Sequence, residues 1–256
     1  MVLKDLCVNR FGFHELASKP SAAELRKYYS EKYYQECCGA YQKKYSPEEL
    51  TYIRNKLEQK ALVLEPLLGT SGRRFLDVGA GEGWGLSFFR EKGWSCTGLD
   101  YSRFGCQAHN PACLDDLIVG DIYESLSRLR REKRRFELIL LDNVLEHVLD
   151  PLALLLDLRE LTAPGGVLVI EVPNDCSPLQ LHLLEKGEIS RPFWVAVPDH
   201  ISYFNRRGWR PWAPRPGGSA ASFWGTSPST STFSTGRPTT WRIRGQGRGA
   251  TAAGSP

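Results

Sequence analysis

The sequence lacks the run of roughly 18–20 apolar residues that a helix needs to cross a bilayer, so no membrane span is expected. Its start, Met1-Val2-Leu3-Lys4-Asp5, has no basic region followed by an apolar stretch, and no secretory signal is expected. The seven cysteines are an odd count without the spacing of a disulfide framework. Cys37 and Cys38 are adjacent, and no C-x-x-C pair occurs. These absences point to reduced thiols, a cytoplasmic location and no metal site. At 41% hydrophobic and 24% charged residues, the composition excludes collagen-like, coiled-coil and wholly disordered chains.

Acid is missing from one end. Residues 209–256 hold 6 Arg and no Lys, Asp or Glu. The formal net charge of +4 therefore sits in this tail, and the first 208 residues carry 27 basic against 29 acidic side chains. The tail also lacks Leu and Val, and 28 of its 48 residues are Gly, Pro, Ser or Thr. Such a segment buries too little apolar area to offset its ordering entropy, so an irregular or disordered tail is expected. Trp209, Trp212, Trp224 and Trp241 among its arginines have the form of a nucleic-acid tail with stacking aromatics. Chance composition explains them more simply, and a nucleic-acid partner is not expected.

Two capping boxes open the N-terminal region, Ser21-Ala22-Ala23-Glu24 and Ser46-Pro47-Glu48-Glu49. After the second, Leu50, Ile53, Leu57, Ala61 and Leu64 recur at helical steps, which predicts an amphipathic helix to about Leu68. Short apolar runs follow: Arg74–Val78, Ser95–Leu99, Leu117–Val119, Phe136–Leu141 and Val167–Val172. Helical patterns separate them near Trp84–Lys92, Arg103–Ala108, Tyr123–Lys133 and Pro151–Leu161. That alternation predicts an α/β fold: a Rossmann-like, doubly wound, mostly parallel sheet covered on both faces. The expected organisation is a helical extension or lid over residues 1–68, a ligand-binding core over 69–208 and the tail over 209–256.

The first strand runs into Asp77-Val78-Gly79-Ala80-Gly81-Glu82-Gly83-Trp84-Gly85. Glycines there permit positive φ and close ligand approach, and the following helix points its first N–H groups at what binds. Asp100 ends the second strand, where an acid would hydrogen-bond ribose hydroxyls. The dinucleotide fingerprint G-x-G-x-x-G does not fit, because its last position is Trp84.

Asp77-x-Gly79-x-Gly81-x-Gly83 followed by Leu99-Asp100 closely resembles the class I S-adenosylmethionine-dependent methyltransferases. Gly120-Asp121-Ile122, the stretch Leu141-Asp142-Asn143 to Glu146-His147-Val148-Leu149-Asp150-Pro151, and Ala163-Pro164-Gly165-Gly166 resemble three further segments of that family, in order. The resemblance is to small-molecule members of the ubiquinone-biosynthesis and glycan-associated types. Leu25–Tyr34 and Pro198-Asp199-His200-Ile201-Ser202-Tyr203-Phe204 resemble segments flanking their core. It implies S-adenosyl-L-methionine as cofactor. Gly79, Ala80, Gly81 and Gly83 would pass its methionine and ribose parts, with Asp77 near the ammonium. Asp100 would accept from the ribose hydroxyls, and Tyr101 would lie beside the adenine. Asp121 would face the adenine amine and Ile122 its ring. Asp142 and Asn143 would lie under the methionine end. The expected reaction is methyl transfer to an oxygen of a small molecule or glycan intermediate, with His147 and His200 as candidate bases.

Each residue also has a plainer reading. Asp100 or Asp121 would serve as a helix cap, and His147 would only pack. Tyr28, Tyr29, Tyr33, Tyr34, Tyr41 and Tyr45 would form a helix face and not a lid over the acceptor. The family continues with a helix and two more strands, which residues 209–256 do not resemble. The C-terminal strands are expected to be missing or replaced, as by a shifted reading frame. An inactive methyltransferase-like product is therefore one alternative, and a nicotinamide-dependent oxidoreductase another. The acceptor and the oligomeric state stay open.

Overall fold

A computed structural model describes residues 5–33, 36, 44–68 and 72–205, and the backbone of 222–225. The chain opens with a hairpin, β1 (Leu6–Val8) and β2 (His14–Leu16), paired antiparallel. The hairpin precedes the helices expected in this extension. The hairpin turn carries Gly12 at φ 88°, a positive value that favours glycine. Two helices follow, α1 (Ala22–Glu31) and α2 (Pro47–Leu64), each opened by a complete capping box on Ser21 or Ser46. A 3₁₀ turn, Glu65–Leu67, continues α2.

The alternating region then builds the main sheet and its covers. In chain order these are β3 (Arg74–Val78), α3 (Trp84–Glu91), β4 (Ser95–Asp100), α4 (Phe104–His109), β5 (Leu117–Val119), α5 (Ile122–Arg131), β6 (Phe136–Asp142), α6 (Pro151–Leu161) and β7 (Thr162–Val172). A helix α7 (Pro178–Glu185) and a short strand β8 (Ser202–Tyr203) follow. β8 joins β2, making a small antiparallel sheet of order β1-β2-β8.

Four residues of the tail form β9 (Ser222–Gly225), which pairs parallel with β7. The main sheet has the order β5-β4-β3-β6-β7-β9, with every pairing parallel. An irregular tail was expected throughout, so this strand is a departure. Phe223 and Trp224 are residue types that suit a strand, and backbone pairing with β7 gives them one. The rest of the tail lies outside the described residues, as do Cys37, Cys38, Tyr34 and Tyr41.

β7 starts five residues before the predicted Val167. Its register shifts between the pairings of Phe136 and Leu138, so Ala163-Pro164-Gly165-Gly166 bulges within the strand. Both faces of the sheet are buried. Ile139 and Leu141 of β6 join Leu126, Leu129, Leu154 and Leu158 of α5 and α6 in one core cluster. The alternate residues Leu138 and Leu140 join Leu57 and Ala61 of α2 and Leu86 and Phe89 of α3 in another. A smaller third cluster seats α1 and α7 through Leu25 and Leu184, beside Trp194 and Tyr203.

Ile139 has no exposed surface, whereas Leu62 on α2 is 68% exposed. We expect Ile139→Ala to cost about 2–5 kcal/mol in urea unfolding of the full chain. We expect Leu62→Ala to stay within about 0.5 kcal/mol. Similar losses at the two positions would contradict the described core.

Candidate active site

The turn after β3 approaches β4 and the segment after β6 closely. The N–H groups of Gly79 and Ala80 both donate to the Leu99 carbonyl, at 2.8 and 2.9 Å. Gly79 has φ 74°, and a Cβ there would come 2.4 Å from Val144 Cγ2. Glycine is required on both counts. Gly85 is required by space alone, since its Cβ would stand 2.4 Å from Asp77 Oδ2.

The carboxyl ends of β3, β4 and β6 open into a cavity of about 540 Å³. Asp77, Gly79, Ala80, Gly81, Asp100, Tyr101, Asp121, Ile122, Asp142, Asn143 and His147 all line it. Two predicted residues do not. Gly83 caps α3 with φ 78°, and its Cβ would meet Cys106 Sγ at 2.9 Å, so packing behind the turn demands it. His200 stands behind His147, with ring centroids 4.9 Å apart.

At one end of the cavity, Asp100 accepts from the N–H of Gly81 and of Ser102, both at 2.9 Å. Its carboxylate thereby holds the glycine turn and still borders the cavity. Asp121 caps α5, accepting from the Glu124 N–H at 3.1 Å, and also takes the Tyr101 hydroxyl at 3.0 Å. The cap reading and the lining position therefore hold together.

The opposite end is a buried charge cluster that the sequence reading missed. Lys60 of α2 pairs with Asp142 and lies 2.8 Å from Glu171 Oε2. Lys56, one turn earlier, lies 3.0 Å from Glu171 Oε1. Burial disfavours the Lys60 charge, but Asp142 and Glu171 hold its pKa above the usual range. Asp77 is only 4% exposed. Burial first, then Asp142, push its pKa up to about 8, against a smaller opposing pull from Lys60. Asn143 takes φ 53°, donates its backbone N–H to the Glu171 carbonyl and its amide to Asp142 Oδ1, each at 2.9 Å.

α1 covers the cavity with Tyr29, whose ring stacks 6.1 Å from Tyr101 and meets His147 edge-on at 5.8 Å. Its hydroxyl donates to Asp199 Oδ1 at 3.0 Å. Tyr33 and Tyr45 also line the cavity, and Tyr28 packs edge-on against Tyr29. His147 Nδ1 donates to the Asp199 carbonyl at 2.8 Å. Burial opposes charge on His147, yet Glu146 and Asp199 hold its pKa up to about 9. Burial and the neighbouring His147 push His200 down to about 4.

Residues 48–217, well over half the chain, match the methyltransferase-domain family. The chain belongs to that family. Among curated proteins, this methyltransferase domain is similar to the ubiquinone biosynthesis O-methyltransferase of Rhodopseudomonas palustris (strain BisB18). The two are 30% identical over 135 residues, 51% of this chain and 52% of that protein. The protein of the same description from Coxiella burnetii (strain RSA 493 / Nine Mile phase I) is 28% identical over 130 residues, 50% of this chain and 51% of that one. The chain spans about half the length of the curated relatives it matches. Among solved structures, a SAM-dependent methyltransferase from Archaeoglobus fulgidus aligns with a TM-score of 0.44 and 22% identity, over 60% of this chain and 63% of that one. The magnesium protoporphyrin IX methyltransferase of Synechocystis PCC 6803 aligns with a TM-score of 0.49 and 14% identity, over 75% of this chain and 86% of that one.

Within this methyltransferase domain, the raised pKa of Asp77 has a consequence for stability. The native value, about 8, lies above the ordinary 3.8. The stability held by protonated Asp77 is complete below about pH 3.8 and is lost as pH rises through about 8. We therefore expect Asp77→Asn to gain in melting temperature relative to wild type as pH rises from 5 to about 8.5. A difference that is constant across this window would contradict the raised pKa of the buried Asp77.

Proposed function

We propose that the protein transfers a methyl group from S-adenosyl-L-methionine to an oxygen of a small-molecule or glycan-intermediate acceptor. The observation that carries this reading is the convergence of Asp100 and the glycine turn on one cavity. The volume, about 540 Å³, suits a ligand of that size. The donor set fits the cofactor piece by piece. Asp100 would take the ribose hydroxyls, and Tyr101, Asp121 and Ile122 the purine. At the other end, Asp77 and Asp142 suit an ammonium, and Lys56 and Lys60 suit a carboxylate. When bound, the cofactor supplies an already activated sulfonium methyl group, so the protein's work is to align the acceptor and exclude water.

The residues of this chain divide that work. In the 1–68 extension, Tyr29 of α1, Tyr45 just before α2 and Lys60 of α2 close the cavity. His147 marks the acceptor side, and His200 supports it from behind. The aromatic walls from Tyr29 and Trp84 exclude water and suit a cation. Free thiols at Cys7, Cys96, Cys106, Cys113 and Cys176 support a reducing, cytoplasmic setting. Among the described residues no helix is long and apolar enough to cross a membrane.

Titration calorimetry of the full chain tests the reading. S-adenosylhomocysteine should bind and NAD should not. Asp100→Ala should weaken S-adenosylhomocysteine by about 10–100-fold, the loss of hydrogen bonds to a charged group. Equal affinity in wild type and variant, or binding of NAD alone, would overturn it.

A further inference from the structure

The end of the sheet away from the cavity carries a surplus of positive charge. Six of the eight residues 128–135 are Arg or Lys, with Glu132 the only acid among them. They run from the last turn of α5 into the start of β6. The near balance of 27 basic and 29 acidic side chains over the first 208 residues conceals this run. The Arg134 N–H donates to the Leu129 carbonyl at 3.0 Å, which folds the turn back onto α5. In the neighbouring strand Arg74 donates to Glu137 of β6 at 2.6 Å, and Arg73 just before it donates to the Lys92 carbonyl at 3.1 Å. The amino ends of β4, β3 and β6 lie side by side in the sheet, about 4.8 Å apart. The cations before them therefore form a row, at the opposite strand ends from the cavity.

Local structure accounts for part of this charge. Arg128, Arg130 and Arg131 complement the carbonyl end of α5. Arg128 also pairs with Glu132, Arg130 with Asp157 and Glu160 of α6, and Lys92 with Glu58. Arg131, Lys133, Arg134 and Arg135 have no carboxylate partner among the described residues, and the first two are exposed. Like charges so close repel one another, and a polyanion relieves that repulsion.

What accompanies the charge selects the partner. Arg predominates over Lys in the run, and the guanidinium fork matches phosphate oxygens in pairs. None of the large exposed apolar side chains belongs to residues 73–74, 92–95 or 128–135. The row therefore lacks the apolar face that enters a lipid surface and the rings on which unpaired bases stack. Regularly spaced phosphates of a duplex need neither.

We propose that this edge binds the backbone of a double-stranded nucleic acid, without sequence preference, through Arg131, Lys133, Arg134 and Arg135. The duplex lies at the far strand ends from the cavity, so it anchors the protein and is not its methyl acceptor. The sequence reading set a nucleic-acid partner aside because it weighed the net charge and the tail, and this run belongs to neither. The binding does not depend on the methyl-transfer reading.

Fluorescence anisotropy of a short labelled DNA duplex, titrated with the full chain, tests the proposal. Contact with about four phosphates gives a slope of about −3.6 in log affinity against log salt, or about 150-fold weaker binding from about 50 to about 200 mM. Arg131→Gln combined with Lys133→Gln should bring the slope to about −1.8 and weaken binding at about 50 mM salt by about tenfold or more. Circular dichroism checks that this variant folds; should it fail to, Arg135→Gln alone decides, with a slope of about −2.7. Unlabelled duplex should displace the label better than polyglutamate or phosphatidylglycerol vesicles at equal charge. No binding at about 50 mM salt, where such contacts are strong, would overturn the proposal. So would undiminished affinity in the folded variant, which would point to the arginines of the tail. Stronger displacement by polyglutamate or vesicles would overturn it in favour of an acidic protein or a lipid surface.

Discussion

The cavity depends on one buried ion cluster. Lys60 reaches from α2 to Asp142 at the end of β6 and to Glu171 near the end of β7. No apolar contact could place the N-terminal extension over the strand ends with such directionality. Desolvating these charges is costly, and close geometry is what makes the arrangement tolerable. Removing one partner would leave an uncompensated buried charge, so the cluster breaks as a unit. Asp77 beside it is buried, and burial first, then the charge of Asp142, push its pKa up to about 8.

The same constraint shapes the rest of the site. With α2 pinned to β6 and β7, the cavity is closed on that side, and α1 closes the other by stacking Tyr29 on Tyr101. Between them the glycine turn has little room, and the missing Cβ of Gly79 lets Val144 approach. Asp100 then links the turn to β4 through the Gly81 N–H. Ligand contact and scaffold contact are thus made by the same atoms.

Much of the sheet was legible because parallel strands covered on both faces read as unbroken apolar runs. Arg74–Val78 and Leu117–Val119 coincide with the predicted spans, and Ser95–Asp100 differs by one residue. The glycine turn and Asp100 were legible from their positions after strands. The hairpin at 6–16 was not, because its strands are three residues long and carry no alternation. β8 has two residues and exists only as a partner for β2. α7 carries a sequence signal of its own, the capping box from Ser177 to Gln180. Lys56 and Lys60 sit four residues apart beside the apolar stripe of α2, and periodicity alone reads such lysines as solvated. The strand at 222–225 follows from pairing, which no local pattern encodes.

A nucleoside ligand of the S-adenosyl type at the strand ends would contact the glycine turn, Asp100 and Asp121 and lie under Tyr29 of α1. Amide hydrogen exchange with and without S-adenosylhomocysteine tests it most directly. The account predicts slower exchange in four separated segments, 77–85, 99–102, 120–123 and 142–148, and in α1, with the sheet interior unchanged. Protection absent from these segments, or the same protection given by NAD, would contradict it.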